Sequence, residues 1–166
     1  MKRFALLVLL ATPAFAQLPP DVTKSFTPSL VELNQISILT ITISNPNGVA
    51  IIGASIIDNY PTGMITAGTG STTCGSGSVF TTPTSVSLSS GTLPANGSCT
   101  ITVPVLATAV GSHLNGTGHV FSTAPPSITF GLATLQVVQS IPALSGSALM
   151  LLAAMLAAIA LIVSRR

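Results

Sequence analysis

Cys74 and Cys99 are the residues of this 166-residue chain with the greatest capacity for covalent chemistry. Two thiols can form a disulfide, act as a reactive pair or bind a metal. Their spacing fits no common zinc-binding pattern, and no other cysteine or histidine lies close by in the sequence. An oxidising compartment favours a disulfide. We therefore predict a Cys74–Cys99 disulfide, which in a small domain would contribute roughly 3–4 kcal/mol to stability.

Acids, bases and cofactor motifs are scarce in the rest of the chain. Between residues 17 and 140 the charged residues are Asp21, Lys24, Glu32 and Asp58. An enzyme needs positioned acids, bases or nucleophiles, and the chain contains no G-x-S-x-G, H-E-x-x-H or phosphate-binding glycine motif. A single lysine cannot neutralise a phosphate backbone. We expect no enzymatic activity, no cofactor and no nucleic-acid partner.

Asp58, His113 and His119 are the candidates for metal ligands. Asp58 precedes the turn Pro61-Thr62-Gly63, and it could either bind calcium or hydrogen-bond its own turn. Because calcium takes about six to eight oxygen ligands, we favour the turn. The two histidines could share a metal only if their strands met, and we expect solvated or hydrogen-bonded rings and no metal. Asn115-Gly116-Thr117 fits the N-x-S/T pattern, and we interpret it as a turn.

The first residues have the order of a secretory signal peptide. Lys2 and Arg3 precede an apolar run, and Ala14-Phe15-Ala16 offers small residues at the positions that signal peptidase reads. We predict a signal peptide helix over residues 1–16 and cleavage between Ala16 and Gln17. An uncleaved anchor is the alternative, but the apolar run is too short to span a bilayer comfortably.

The last residues are apolar and end in Arg165-Arg166. Residues 141–163 carry no charge, and as a helix they would be about 34 Å long, against about 30 Å for the hydrocarbon core of a bilayer. We predict a single transmembrane helix over 146–163, with the basic tail 164–166 on the cytoplasmic side. A buried core helix is the alternative interpretation.

Ile141-Pro142-Ala143-Leu144-Ser145, the apolar segment and the two arginines together resemble an IPTL-type C-terminal sorting signal of the PEP-CTERM and exosortase class. Ala143 stands where the usual motif has threonine, and the chain contains no tryptophan. The resemblance implies that residues 141–166 direct sorting and are removed by an exosortase-like enzyme.

The body of the chain, residues 17–140, shows the two-residue alternation of β-strands and no helical periodicity. Strands are predicted at 39–44, at 49–57, around Val86 and Leu88, at 99–105, and between 127 and 138. Pro104 should lie on an edge or at a strand end. Short strands separated by Gly, Pro and Asn turns predict an all-β fold, an Ig-like antiparallel β-sandwich.

The same body resembles the DUF11-type Ig-like repeats of bacterial surface proteins. The resemblance covers about residues 20–120 and rests on four motifs in order: Val22–Pro28, Leu39–Pro46, Asp58–Met64 and Gly91–Ile101. It implies a β-sandwich, a cysteine pair and a role at the cell surface or in the matrix, without a catalytic site.

Together these features predict a non-enzymatic exported protein of the cell envelope, cell surface or extracellular matrix, whose modules could associate with one another. Its partners would be signal peptidase, the membrane through the C-terminal helix, and an exosortase-like enzyme. The alternative is an adhesin-like module that binds carbohydrate or protein. Sugar sites usually stack a ring on an aromatic side chain, and we expect most aromatic residues of the body to lie in the core: Phe26, Tyr60, Phe80, Phe121 and Phe130.

Overall fold

The computed structural model describes residues 16–140 and 146–164. In these residues the chain forms β1 (Asp21–Thr27), β2 (Leu30–Glu32), β3 (Ile36–Ser44), β4 (Ile51–Asn59), β5 (Met64–Thr66), β6 (Ser71–Thr72), β7 (Ser78–Thr82), β8 (Ser85–Leu93), β9 (Ser98–Ala107), β10 (Gly111–Gly116), β11 (Leu132–Val138) and the helix α1 (Gly146–Ser164).

Alternating apolar residues build the centre of the fold. In β3 Leu39, Ile41 and Ile43 are buried, while the threonines between them are only partly covered. β3 pairs antiparallel with β9, whose inward residues also alternate. The strands predicted at 39–44 and 99–105 are therefore confirmed as the middle of one sheet.

The strands form two layers around this core. One layer has the order β1-β3-β9-β5, with β6 also on β9. The other contains β4-β8-β7 and β10-β11-β2. Bridges between Asp58 and Thr117, and between Ser55 and Phe121, connect β4 to the chain that follows β10. The predicted β-sandwich is confirmed.

Two details of the predicted sandwich are wrong. β2 pairs with β11 in parallel, so the sandwich is not wholly antiparallel; the chain leaves β1 at Thr27 and joins the opposite layer within a few residues. Pro104 lies inside β9, a central strand, and not at an edge. It is tolerated because it falls between the segments of β9 that pair with β5 and β6, where no ladder bond requires its missing N–H.

The predicted targeting segments lie largely outside the described residues. This holds for residues 1–15, which include Ala14, for the motif 141–145, and for Arg165 and Arg166. Ala16 and Gln17 are described and lie before β1. A helix does form over the predicted range 146–163, but in the described part of the chain no helix is long and apolar enough to cross a membrane. α1 has 19 residues.

Candidate functional site

Lys24, Asp58 and Asn115 meet inside the sandwich, although they come from three different strands. Lys24 lies on β1 between the buried residues Val22 and Phe26, so strand alternation turns its side chain inward. Its Nζ lies 2.5 Å from Oδ2 of Asp58, and both side chains are 0% exposed. A charged pair without any solvent contact is uncommon, because each charge must be stripped of water.

Asn115 completes this cluster from β10. It is 1% exposed, and its Nδ2 donates to Oδ2 of Asp58 over 3.4 Å. The same carboxylate oxygen therefore accepts from both the Lys24 amine and the Asn115 amide. The second carboxylate oxygen of Asp58, Oδ1, and the amide oxygen of Asn115, Oδ1, are buried without a hydrogen-bond partner in the described structure. The polar cluster Lys24–Asp58–Asn115 is thus only partly satisfied.

Burial shifts both titratable groups of this cluster toward their neutral forms. Loss of water raises the pKa of Asp58, against the opposing effects of the Lys24 charge and of the hydrogen bonds from Lys24 and Asn115. Loss of water also lowers the pKa of Lys24 to about 8, against the opposing effect of Asp58. The free energy separating an ammonium–carboxylate pair from an amine–carboxylic acid pair is therefore smaller here than in water.

A β-bulge sets which residues of β4 face inward. Gly53 has a φ of +69°, and the register of β4 against β8 shifts between Ile51 and Ala54. The extra residue moves the alternation by one, so Ile51, Ala54 and Asp58 are all buried. Uniform alternation from Ile51 would have turned Ile57 inward and Asp58 outward. The bulge therefore places a carboxylate in the core and an isoleucine on the surface.

The sequence-based interpretations of Asp58 and Asn115 are both wrong. Asp58 lies within β4 and pairs with Lys24 instead of bonding its own turn. Asn115 lies within β10 and is buried, not in a turn. One sequence signal was overlooked. Lys24 lies two residues from both Val22 and Phe26, so strand alternation places it on the same, otherwise apolar face.

The rings of His113 and His119 make separate hydrogen bonds. A ring nitrogen of His113, Nε2, donates to the carbonyl of Ala109 over 2.8 Å. Nδ1 of His119 donates to the carbonyl of Ser127 over 2.5 Å. Within residues 16–140 and 146–164, no three side chains of His, Cys, Asp or Glu are grouped as metal ligands would be.

The predicted disulfide is present. Cys74 and Cys99 are joined with an S–S distance of 2.03 Å, and each is 2% exposed. The bond holds the glycine-rich segment 67–78 against β9, where the Thr73 amide also donates to the Thr100 carbonyl over 2.9 Å. A segment that would be flexible alone is thereby ordered at the edge of the core.

The outer surface of the β4-β8-β7 layer carries exposed apolar side chains among serines and threonines. Ile57 and Phe80 lie on either side of Ser87 in one row of paired residues, and they are 48% and 59% exposed. Phe121 lines the same groove as Ile57, and Phe130 packs against the ring of His119, another residue of that groove. They are 58% and 49% exposed. We call Ile57, Phe80, Phe121 and Phe130 the apolar face. The expectation that most aromatic residues lie in the core is wrong, because only Phe26 and Tyr60 are buried.

A shallow groove runs across this apolar face. Its volume is about 320 Å³, and it is lined by Ser55, Ile56, Ile57, Ser87, Leu88, Gly118, His119 and Phe121. The His119 ring lies 4.4 Å from that of Phe130, centroid to centroid, which fixes the wall of the groove next to Phe130. Such a groove offers shape and apolar area but no arrangement of acids and bases.

Residues 20–137 match the model of a family described as a domain of unknown function, DUF7933. The chain belongs to the DUF7933 family. The match is to this family model and not to the DUF11-type repeats that the sequence motifs suggested, and it does not extend to the predicted sorting signal of residues 141–166. Among curated proteins, none matches the chain in sequence.

Solved structures similar to this DUF7933 chain include cohesin modules. A cohesin module of a family 33 glycoside hydrolase from Clostridium perfringens has a TM-score of 0.56 and 12% identity, over 76% of this chain and 100% of that module. The third ScaC cohesin from Acetivibrio cellulolyticus, solved with the ScaB dockerin, has a TM-score of 0.55 and 10% identity, over 71% of this chain and 99% of that one. BslA, a bacterial hydrophobin, has a TM-score of 0.52 and 13% identity, over 76% of this chain and 99% of BslA. At these identities the likeness establishes the fold.

Proposed function

We propose that this DUF7933 chain is a non-enzymatic, exported module of the cell surface or extracellular matrix that associates with other copies of itself. The observation that carries the proposal is the apolar face. Isolated apolar residues are common on protein surfaces, but one isoleucine and three phenylalanines exposed on or beside one groove are typical of an interaction site. Fold relatives support such a role: one cohesin was solved with a dockerin, and BslA is a hydrophobin.

The charge distribution favours a second copy as the occupant of the apolar face. Of the four charged residues between 17 and 140, Lys24 and Asp58 are paired inside, whereas Asp21 and Glu32 are exposed. Two copies would therefore meet with little like-charge repulsion. The absence of an acid–base arrangement in the groove supports a binding role over an enzymatic one.

Sedimentation of the mature protein over a wide concentration range tests self-association. We expect dimers or larger assemblies that Phe80→Ser and Phe121→Ser weaken, since both side chains are exposed and neither supports the core. Ile38→Ser is the matched control, because Ile38 is 41% exposed on the other layer. A protein that stays monomeric at every concentration would exclude this part of the proposal.

A carbohydrate-binding role is the second candidate. It is favoured by the exposure of Phe80, Phe121 and Phe130, whose rings could stack on sugar faces. A glycan array separates the two proposals: binding that Phe121→Ser abolishes would support the carbohydrate role, and an array without hits would remove it.

Export and sorting are proposed from the sequence alone. The signal peptide of residues 1–16 and the motif, apolar segment and arginines of residues 141–166 support delivery to the cell envelope and processing by an exosortase-like enzyme. Intact-mass measurement on protein from its native envelope tests this. A mature chain that begins at Gln17 and lacks residues beyond about 141 is expected, and retention of Arg166 would contradict removal of the C-terminal segment.

A further inference from the structure

We propose that Lys24 and Asn115 become joined by an intramolecular amide bond, formed by the folded chain itself with Asp58 as the proton-transfer group. The bond would link the Nζ atom of Lys24 to the Cγ atom of Asn115. This modification is independent of any partner of the apolar face, and it concerns the polar cluster that the proposed function leaves unused.

The geometry brings the reacting groups to one oxygen atom. Oδ2 of Asp58 lies 2.5 Å from the Lys24 amine and 3.4 Å from the Asn115 amide nitrogen. The nucleophile and the leaving group of an amide exchange are therefore both within hydrogen-bond distance of the acid that would move protons between them. All three come from paired strands, so the arrangement is held in place before reaction.

Burial supplies the second requirement, which is a neutral amine. An ammonium group has no lone pair and cannot attack a carbonyl carbon. In the cluster the side chains of Lys24 and Asp58 are 0% exposed, and removal of water disfavours both charges. Transfer of one proton from Nζ to Oδ2 leaves a neutral amine beside a carboxylic acid, and water cannot compete for the amide carbon.

The reaction balances without any further reagent. The lone pair of Nζ attacks Cγ of Asn115, and a tetrahedral centre forms. Asp58 gives its proton to the departing Nδ2 and takes the remaining surplus proton from Nζ. The bond between Cγ and Nδ2 breaks, ammonia leaves, and an amide between Lys24 and Asn115 remains beside a protonated Asp58. No electrons are gained or lost.

The product also repairs the hydrogen bonding of the cluster. Before reaction, Oδ1 of Asp58 and Oδ1 of Asn115 are buried without partners among the described residues, which is unfavourable. Afterwards, Oδ1 of Asn115 is the carbonyl oxygen of the new amide, and the protonated carboxyl of Asp58 can donate to it. Asn115 is assigned as the acceptor because Asp58 is the group that contacts both nitrogen atoms.

The bond would connect the two layers of the sandwich. Lys24 lies on β1 of one layer and Asn115 on β10 of the other. A covalent tie between strands that are far apart in sequence suits an exported protein exposed to force and proteases. It would act in addition to the Cys74–Cys99 disulfide, which joins β9 to the segment after β6.

Trypsin provides a direct test, because Lys24 is the only lysine or arginine between Arg3 and Arg165. The full chain is purified after folding, reduced, fully denatured and digested. Acylated lysine is not a trypsin site, so we expect no cleavage after Lys24 and an intact mass lower than that of the sequence by one ammonia. A second protease and tandem mass spectrometry should then give a branched peptide that joins Lys24 to Asn115.

Two variants serve as controls. Asn115→Leu has no amide to attack, and Lys24→Arg keeps the charge but cannot form the bond; both should be cut fully at position 24 and show no loss of ammonia relative to their sequences. The wild-type result decides the matter even if a variant folds poorly. Complete cleavage of wild-type chain after Lys24 overturns the proposal. Loss of one water in place of ammonia would place the bond on Asp58 and overturn the assignment of Asn115.

Discussion

The Nζ atom of Lys24 lies 2.5 Å from Oδ2 of Asp58, and neither side chain reaches solvent. Lys24 belongs to β1 of one layer and Asp58 to β4 of the other, so this contact crosses the core of the sandwich. Removing one member of such a pair is more harmful than removing both, because the remaining charge keeps its desolvation penalty without its partner.

In the Asn115→Leu background, where Lys24 keeps a free amine, Asp58→Ala should lower the free energy of unfolding by about 3–5 kcal/mol, because it leaves that amine buried without a partner. Urea denaturation followed by circular dichroism measures the change. Asp21→Ala is the matched control: Asp21 is an exposed carboxylate on β1 that accepts from Thr129, and its removal should alter stability by less than about 1 kcal/mol. Equal effects of the two substitutions would show that burial of Asp58 is unimportant.

The stability of the Asn115→Leu protein should rise with pH above pH 8. In this variant Lys24 keeps a free amine, whose pKa is lowered by burial from 10.5 to about 8. Between these values the unfolded chain binds more protons at this group than the folded chain, so increasing pH stabilises the fold by at most about 1.4 kcal/mol per pH unit.

Urea titrations at about pH 8 and about pH 9.5 measure this dependence, in an interval below the titration of Tyr60, whose pKa burial raises above 10.0. Adding Lys24→Met to Asn115→Leu should remove the rise. A rise that persists without Lys24 would mean that another group is responsible. Wild-type protein should lack the rise if its Lys24 is bound in an amide.

Replacement of both cysteines, Cys74→Ala with Cys99→Ala, should lower the free energy of unfolding by about 2–4 kcal/mol. The bond closes a loop with a sequence separation of 25. Its loss increases the conformational entropy of the unfolded chain and so favours unfolding. Hydrogen exchange should also become faster in the segment 67–78 than in β3. Reduction of the wild-type disulfide should reproduce the change, and identical denaturation curves with and without reductant would contradict it.

Gly53→Ala should destabilise the fold by about 1–2 kcal/mol, since Gly53 has a φ of +69°. No atom lies within 4 Å of the position that a Cβ would occupy, so the penalty comes from the backbone and not from a clash. Gly53→Asn should be milder, because asparagine tolerates this conformation better. Thermal unfolding of both variants measures the difference; equal losses would point to a requirement for glycine other than its φ.

Local sequence patterns were sufficient to predict the central strands of the fold and the disulfide. β3 and β9 alternate without interruption, so their inward residues could be assigned from sequence. Cys99 has the same phase as Ile101 and Val103, which correctly placed it toward the core. Phe80 and Phe121 were misjudged because hydrophobicity alone does not state which layer surface remains uncovered.

The polar cluster was missed for a different reason. Lys24 could have been recognised as inward-facing from Val22 and Phe26, but its partners could not. Asp58 is 34 residues away from Lys24, and Asn115 is a further 57 away from Asp58. No local periodicity relates residues at such separations.

By itself the sequence determined the β-strand character of the body, the cysteine pair and the near absence of charge, because alternation and composition are properties of neighbouring residues. The tertiary structure alone decided that Lys24, Asp58 and Asn115 meet. The physical reason is the bulge at Gly53: one extra residue in β4 reverses which side chains enter the core, turning Asp58 toward Lys24 and leaving Ile57 on the surface.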